Sequence, residues 1–128
     1  MKYSVKIDYY DWKLNIYYAI TPQDKQDILD NLNCSSETLQ SINTNLEKSD
    51  IDTGFTFSNY NDRNSIIVMH KASSIGEFIN TYDHERTHLI MQICEALSIN
   101  PYSEEAAHLN GYISQSILEK MLCEIVEL

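Results

Sequence analysis

His84-Glu85-Arg86-Thr87-His88, inside the stretch from Glu77 to Leu97, reads H-E-x-x-H. On an α-helix, residues four apart share one face about 6 Å along the axis, so two imidazoles can converge on one ion. Zn²⁺ accepts imidazole nitrogen at about 2.0–2.1 Å, and a catalytic site normally carries three protein ligands and a water. Glu85 is rotated about 100° from His84. From there it reaches a water at the ion rather than the ion itself, which suits a general base.

The flanking residues predict that helix. Ser74-Ile75-Gly76-Glu77 has the capping-box form, a hydroxyl three residues before a carboxylate. Ile75, Phe78, Ile79, Tyr82, Leu89, Ile90, Ile93, Ala96 and Leu97 then fall on one broad arc at about 100° per residue, with Arg86 as a charged intruder. His84 and His88 fall on the opposite side with Glu77, Thr81 and Glu95, which argues against core histidines. The plain alternative is a solvated pair, because the pattern arises by chance in a chain of this composition about once in a hundred shuffles.

Outward from that helix, Ser65-Ile66-Ile67-Val68-Met69-His70 is the strongest strand signal, with His70 read as a packing or solvent-facing residue. Lys2 to Tyr10 alternates, placing Tyr3, Val5, Ile7 and Tyr9 on one face, and Trp12 to Ile20 reads as a second strand with Asp11 at the turn. Thr21-Pro22 opens a helix with Ile28, Leu29 and Leu32 as its stripe. A second short helix covers Glu37 to Glu47, Ser49 to Gly54 is a loop, and Phe55 and Phe57 lie on a short strand before the polar turn Ser58 to Asn64. Asn100-Pro101 stops the H-E-x-x-H helix near Ile99. Ser103 caps a last helix that buries Ala106, Leu109, Ile113 and Ile117.

Composition bounds the rest. A chain of 128 residues points to one domain over residues 1–128, with no repeats or linkers. A net charge of −10 argues against nucleic acid and against an anionic membrane surface as partners. Three cysteines with no C-x-x-C spacing predict buried, reduced thiols. Met1 to Asp8 is too polar for a signal peptide, and no apolar run approaches the roughly 20 residues of a membrane span. A cytoplasmic location is expected. The oligomeric state has no sequence signal.

A catalytic zinc needs a third protein ligand. Glu95 shares the histidine face but lies about 10 Å along the helix from His88, too far for the same ion. Glu104 and Glu105 open the last helix, where they also favour its N-terminal dipole. Glu104 shares a face with His108 and Gly111, and Gly111 is expected to admit a neighbouring backbone or a substrate. Glu105 points nearer Leu109.

Here the sequence resembles the gluzincins, zinc-dependent peptidases with H-E-x-x-H on one helix and a glutamate ligand on a later one. The resembling residues are His84 to His88 and Ser103-Glu104-Glu105-Ala106-Ala107-His108-Leu109-Asn110-Gly111-Tyr112. The second stretch is similar to the E-x-x-A-Y-L-x-G-Y pattern of small zincin-like proteins seen in phages and gut bacteria, with His108 where that family usually has tyrosine. The resemblance covers about residues 65–115, and residues 1–60 carry no matching motif.

It implies an α+β fold in which a small zincin-like sheet packs on the H-E-x-x-H helix and the C-terminal helix brings the third ligand. It implies a zinc-dependent peptidase acting on a peptide or protein. His84, His88 and Glu104 would hold Zn²⁺, Glu85 would be the general base, and His108 would stabilise the oxyanion. The substrate groove is expected beside Ser65 to His70. The rival is a non-catalytic zincin-fold protein with a binding or regulatory role.

Overall fold

Alternation makes strands and 3.6-residue periodicity makes helices along this chain, in the order the sequence implies. The computed structural model describes residues 1–47 and 54–125. Strand β1 (Lys2–Ile7) turns through a short 3-10 segment (Asp8–Tyr10) into β2 (Trp12–Tyr18), with Asp11 taking a left-handed φ of 52° at the corner. Helices α1 (Pro22–Asn31) and α2 (Ser36–Glu47) follow, then β3 (Phe55–Asn59), β4 (Asn64–Met69), α3 (Ile75–Leu97) and α4 (Glu104–Ile125). The fold is α+β, with four helices and one four-stranded mixed sheet in the order β1-β2-β4-β3. The expected loop Ser49 to Gly54 falls, except for Gly54, outside the described residues.

Pairing is antiparallel for β1–β2 and β3–β4 and parallel for β2–β4. This gives the sheet two different faces. Tyr3, Ile7, Leu14, Ile16, Tyr18, Ile67 and Met69 point to one, into a core shared with α3 and α4. Tyr17, Ile66 and Val68 point to the other, where Ile28 of α1 and Ile42 and Leu46 of α2 cover them. Tyr9 does not continue the β1 face. It lies in the 3-10 turn and is 86% exposed, because the chain has left the extended conformation that alternation requires.

Local chemistry sets the helix ends. Thr21 and Asp24 form a complete capping box before Pro22. Ser74 accepts from the Glu77 backbone N–H at 3.1 Å, but the Glu77 carboxylate takes the Ser73 hydroxyl at 2.7 Å, so only half of the expected box forms at α3. That helix ends at Leu97, two residues before Ile99, because Ser98 turns left-handed and closes onto the Cys94 carbonyl. On its predicted apolar arc Phe78, Tyr82, Leu89 and Ile93 are buried, whereas Ile75 is exposed. Arg86 is accommodated by aromatic and polar partners. Its guanidinium lies 5.6 Å over the Tyr82 ring, donates to Ser114 at 3.0 Å and meets Asp83 at 3.3 Å.

Of the three free thiols only Cys94 is buried; Cys34 is half-buried and Cys123 exposed, which corrects the expectation that all three are interior. Among the described residues, no helix is long and apolar enough to cross a membrane.

Candidate metal centre

The middle of α3 presents His84 and His88 to solvent, on the side predicted from the periodicity. Their Nε2 atoms are 3.3 Å apart and the rings meet edge-to-face with centroids 4.9 Å apart. Two nitrogens bound tetrahedrally to zinc at about 2.0–2.1 Å stand about 3.3 Å from each other, so the pair has the span of two zinc ligands. Glu85 Oε2 lies 4.0 Å from His84 Nε2.

Glu85 itself is 2% exposed and, among the described residues, is buried along with the polar Thr81 and Ser65. Thr81 was placed with the solvent-facing histidines by its helical angle, but it is buried. A buried carboxylate needs hydrogen-bond donors. The Thr56 hydroxyl of β3 supplies one, shared between Glu85 Oε1 at 2.9 Å and the Glu85 carbonyl at 3.1 Å. From Thr56 the polar contacts continue inward. Gln92 Nε2 donates to the Thr56 carbonyl, Ser58 donates to Gln92 Oε1, Ser58 and Ser65 share a hydrogen bond, and Trp12 Nε1 donates to Ser65 at 2.8 Å. A chain of polar groups thus links a fully buried indole to the candidate base.

The strand beside the histidines is therefore β3. Ser65 to His70 was expected to border the groove, but β4 pairs with β2 on one side and β3 on the other. Its run from Ile66 to Met69 is buried on both faces, as an interior strand requires, while every β3 residue is only half-buried. β3 runs alongside α3, from Thr56 at Glu85 to Tyr60, whose hydroxyl donates to Glu95 at 3.1 Å. Among the described residues no strand pairs with its outer edge. His70 sits past the end of β4, half-buried.

Glu104 and His108 are elsewhere. Glu104 is 91% and His108 84% exposed, and they meet each other at 3.8 Å. Helical geometry gives the reason. Glu104 stands about 200° around α4 from Ala106, which is buried with Leu109 and Ile113, so its face turns to solvent. On α3, Arg86 stands about 200° from His84 and reaches Ser114 of α4, so α4 flanks α3 on the side away from the histidines. Glu105 joins the inner rim instead. It lies near Tyr10, whose hydroxyl pKa is raised by burial and by that carboxylate; the Cys94 thiol is likewise pushed up by burial and by Glu105.

The structure thus brings together His84, His88 and Glu85 and leaves Glu104 and His108 at the start of α4. Among the described residues, no group of three or more His, Cys, Asp or Glu side chains is arranged to hold an ion. Gly111 admits no close neighbour, since a Cβ there would meet nothing within 4 Å. Sequence reasoning missed Thr56, Ser58 and Gln92. For Thr56 and Ser58 the signal was the alternation Phe55-Thr56-Phe57-Ser58, which marks a polar strand face without saying what it meets. No family model, curated protein or solved structure matches this chain.

Proposed function

We propose that the chain is a zinc-dependent peptidase of zincin-like architecture. The observation that carries the reading is the His84–His88 pair at zinc-ligand spacing, with the Glu85 carboxylate beside it and anchored by Thr56. A zinc ion held by the two imidazoles would polarise the scissile carbonyl and acidify a water. Glu85 does the proton work. Thr56 fixes Oε1, so Oε2 faces the histidine side, takes a proton from the attacking water and returns it to the leaving amine. An extended peptide would lie along the free edge of β3, adding a strand beside α3.

A second reading has one observation in its favour. Glu104 faces solvent on the far flank, leaving two protein donors where a catalytic zinc has three. That favours a non-catalytic zincin-like protein with a binding or regulatory role.

Metal analysis and a peptide-library digest of the same preparation separate the two. The peptidase reading expects about one Zn²⁺ per chain, lost when His84 and His88 are both replaced by alanine. It also expects Glu85→Gln to keep zinc while turnover falls by about 10²-fold or more. Zinc without turnover in the parent chain selects the binding protein; no zinc at all rejects both forms of the metal site.

A further inference from the structure

A cavity of about 760 Å³ opens where the β1–β2 turn meets the start of α4. It is separate from the histidine pair. The cavity is lined from β1, the turn after it and α4, whereas the histidine-bearing stretch of α3 packs beside β3, the strand at the opposite edge of the sheet.

Its walls combine aromatic rings with carboxylates: Tyr9, Tyr10 and Tyr112 around Leu109, with Asp8 and Glu105. Tyr9, exposed for 86% of its surface, stands edge-on to Tyr10 with ring centroids 4.8 Å apart. Tyr112 is held by its hydroxyl donating to the Lys6 carbonyl at 3.3 Å, and burial and the nearby Glu105 carboxylate raise the pKa of the Tyr10 hydroxyl. Of these rings, Tyr112 is braced by that bond and Tyr10 by its edge-to-face contact with Tyr9.

Among the described residues, no ion pair neutralises Asp8 or Glu105 on the walls, and Asp8 acts on Lys6 less than Asp11 does. The neighbouring amine, Lys6, is bound to Asp11 at 2.8 Å, and His108 at the rim faces Glu104. In a chain of net charge −10 the potential favours a cation here. A neutral apolar ligand would desolvate Asp8 and Glu105 with nothing to replace their water. A hard metal ion would want six or more oxygen donors, which two carboxylates and three phenol rings do not offer. A weakly hydrated organic cation satisfies both parts of the wall, since its charge meets the carboxylates and its alkyl shell meets the ring faces.

We propose that this cavity is a binding site for an organic ammonium ion, with Tyr9, Tyr10 and Tyr112 as its aromatic wall and Asp8 and Glu105 as its counter-charges.

The test uses choline and its uncharged carbon isostere, 3,3-dimethylbutan-1-ol, titrated into the full chain and followed by the tyrosine ring resonances in NMR. Choline should give saturable shifts confined to Tyr9, Tyr10, Tyr112 and their neighbours, with the alcohol binding about tenfold more weakly or worse. Tyr9→Ala and Glu105→Gln, both at exposed positions, should each weaken choline by about threefold or more while circular dichroism stays that of the parent. Equal affinity for choline and the alcohol would overturn the proposal, leaving an apolar cavity only. So would shifts spread over the whole acidic surface, or no saturation by about 50 mM choline.

Discussion

The two flanks of α3 are built from opposite materials. On the β3 flank, Glu85 and Gln92 meet Thr56 and Ser58, and hydrogen bonds run inward to Trp12. On the α4 flank, Tyr82, Leu89 and Ile93 meet Leu109, Ile113 and Ile117 in the main core. Apolar burial is non-directional, and it holds α3 in place whatever chemistry the helix carries. The polar flank is directional: it fixes one carboxylate beside two imidazoles, and a change of one atom there is felt. The same helix is thus anchored on one side and carries the candidate site on the other.

Damage to the anchoring flank should have the largest effect on stability. Ile113→Ala removes buried methyl groups from a fully buried position, at a cost of about 2–5 kcal/mol in urea or thermal unfolding. Zinc binding, measured where the variant is still folded, should be close to the parent's, since neither histidine touches α4. A variant that unfolds normally but loses its metal would show that the flanks are not separable.

The polar flank should be cheaper to damage but more specific in what it loses. Thr56→Val keeps the shape and deletes the hydroxyl that Glu85 accepts from, leaving a buried carboxylate short of a donor. Stability should fall by about 1–3 kcal/mol, and Thr56→Ser should restore most of it. If valine and serine behave alike, the hydroxyl is not what holds Glu85.

Two glycines sharpen the comparison further. A Cβ on Gly54, at the start of β3, would lie 1.6 Å from the Val68 carbonyl oxygen, so that strand end tolerates no side chain. Gly111, in the interior of α4 on its open face, has nothing within 4 Å. Gly111→Ala should therefore stabilise the chain by about 0.5–1 kcal/mol through helix propensity alone, read as a rise in Tm. A fall would mean that something packs against that face.

Most elements were legible because their signals are local. The Thr21-Pro22 cap, the apolar stripe of α4 and the outward pair His84 and His88 each follow from residues within a few turns of one another. The order of strands was not legible, because β4 is interior only by virtue of pairing with β3, which carries few apolar residues. The burial of Glu85 depends on Thr56, 29 residues away, and no periodicity reports a contact of that range. The orientation of Glu104 was partly legible. Its separation from Ala106 by two residues already turns it from the core, and only the packing side of α4 was missing.

Glu104→Ala makes the smallest expected change and decides between the resemblance and the packing. The gluzincin pattern makes Glu104 the third ligand, and its removal would then weaken zinc by an order of magnitude or more. The structure turns Glu104 toward His108 on the flank away from His84, so zinc affinity should change by less than about twofold in a chelator competition. Glu105→Ala is the control. It removes the same first-turn charge, worth about 0.3–1 kcal/mol to the helix, and also takes away the carboxylate that helps raise the Tyr10 pKa. Equal, small effects from both would place the ion with His84 and His88 alone among these groups. A tenfold loss confined to Glu104→Ala would instead require the start of α4 to turn its outer face toward α3, and the division between the two flanks would fail at that end of the helix.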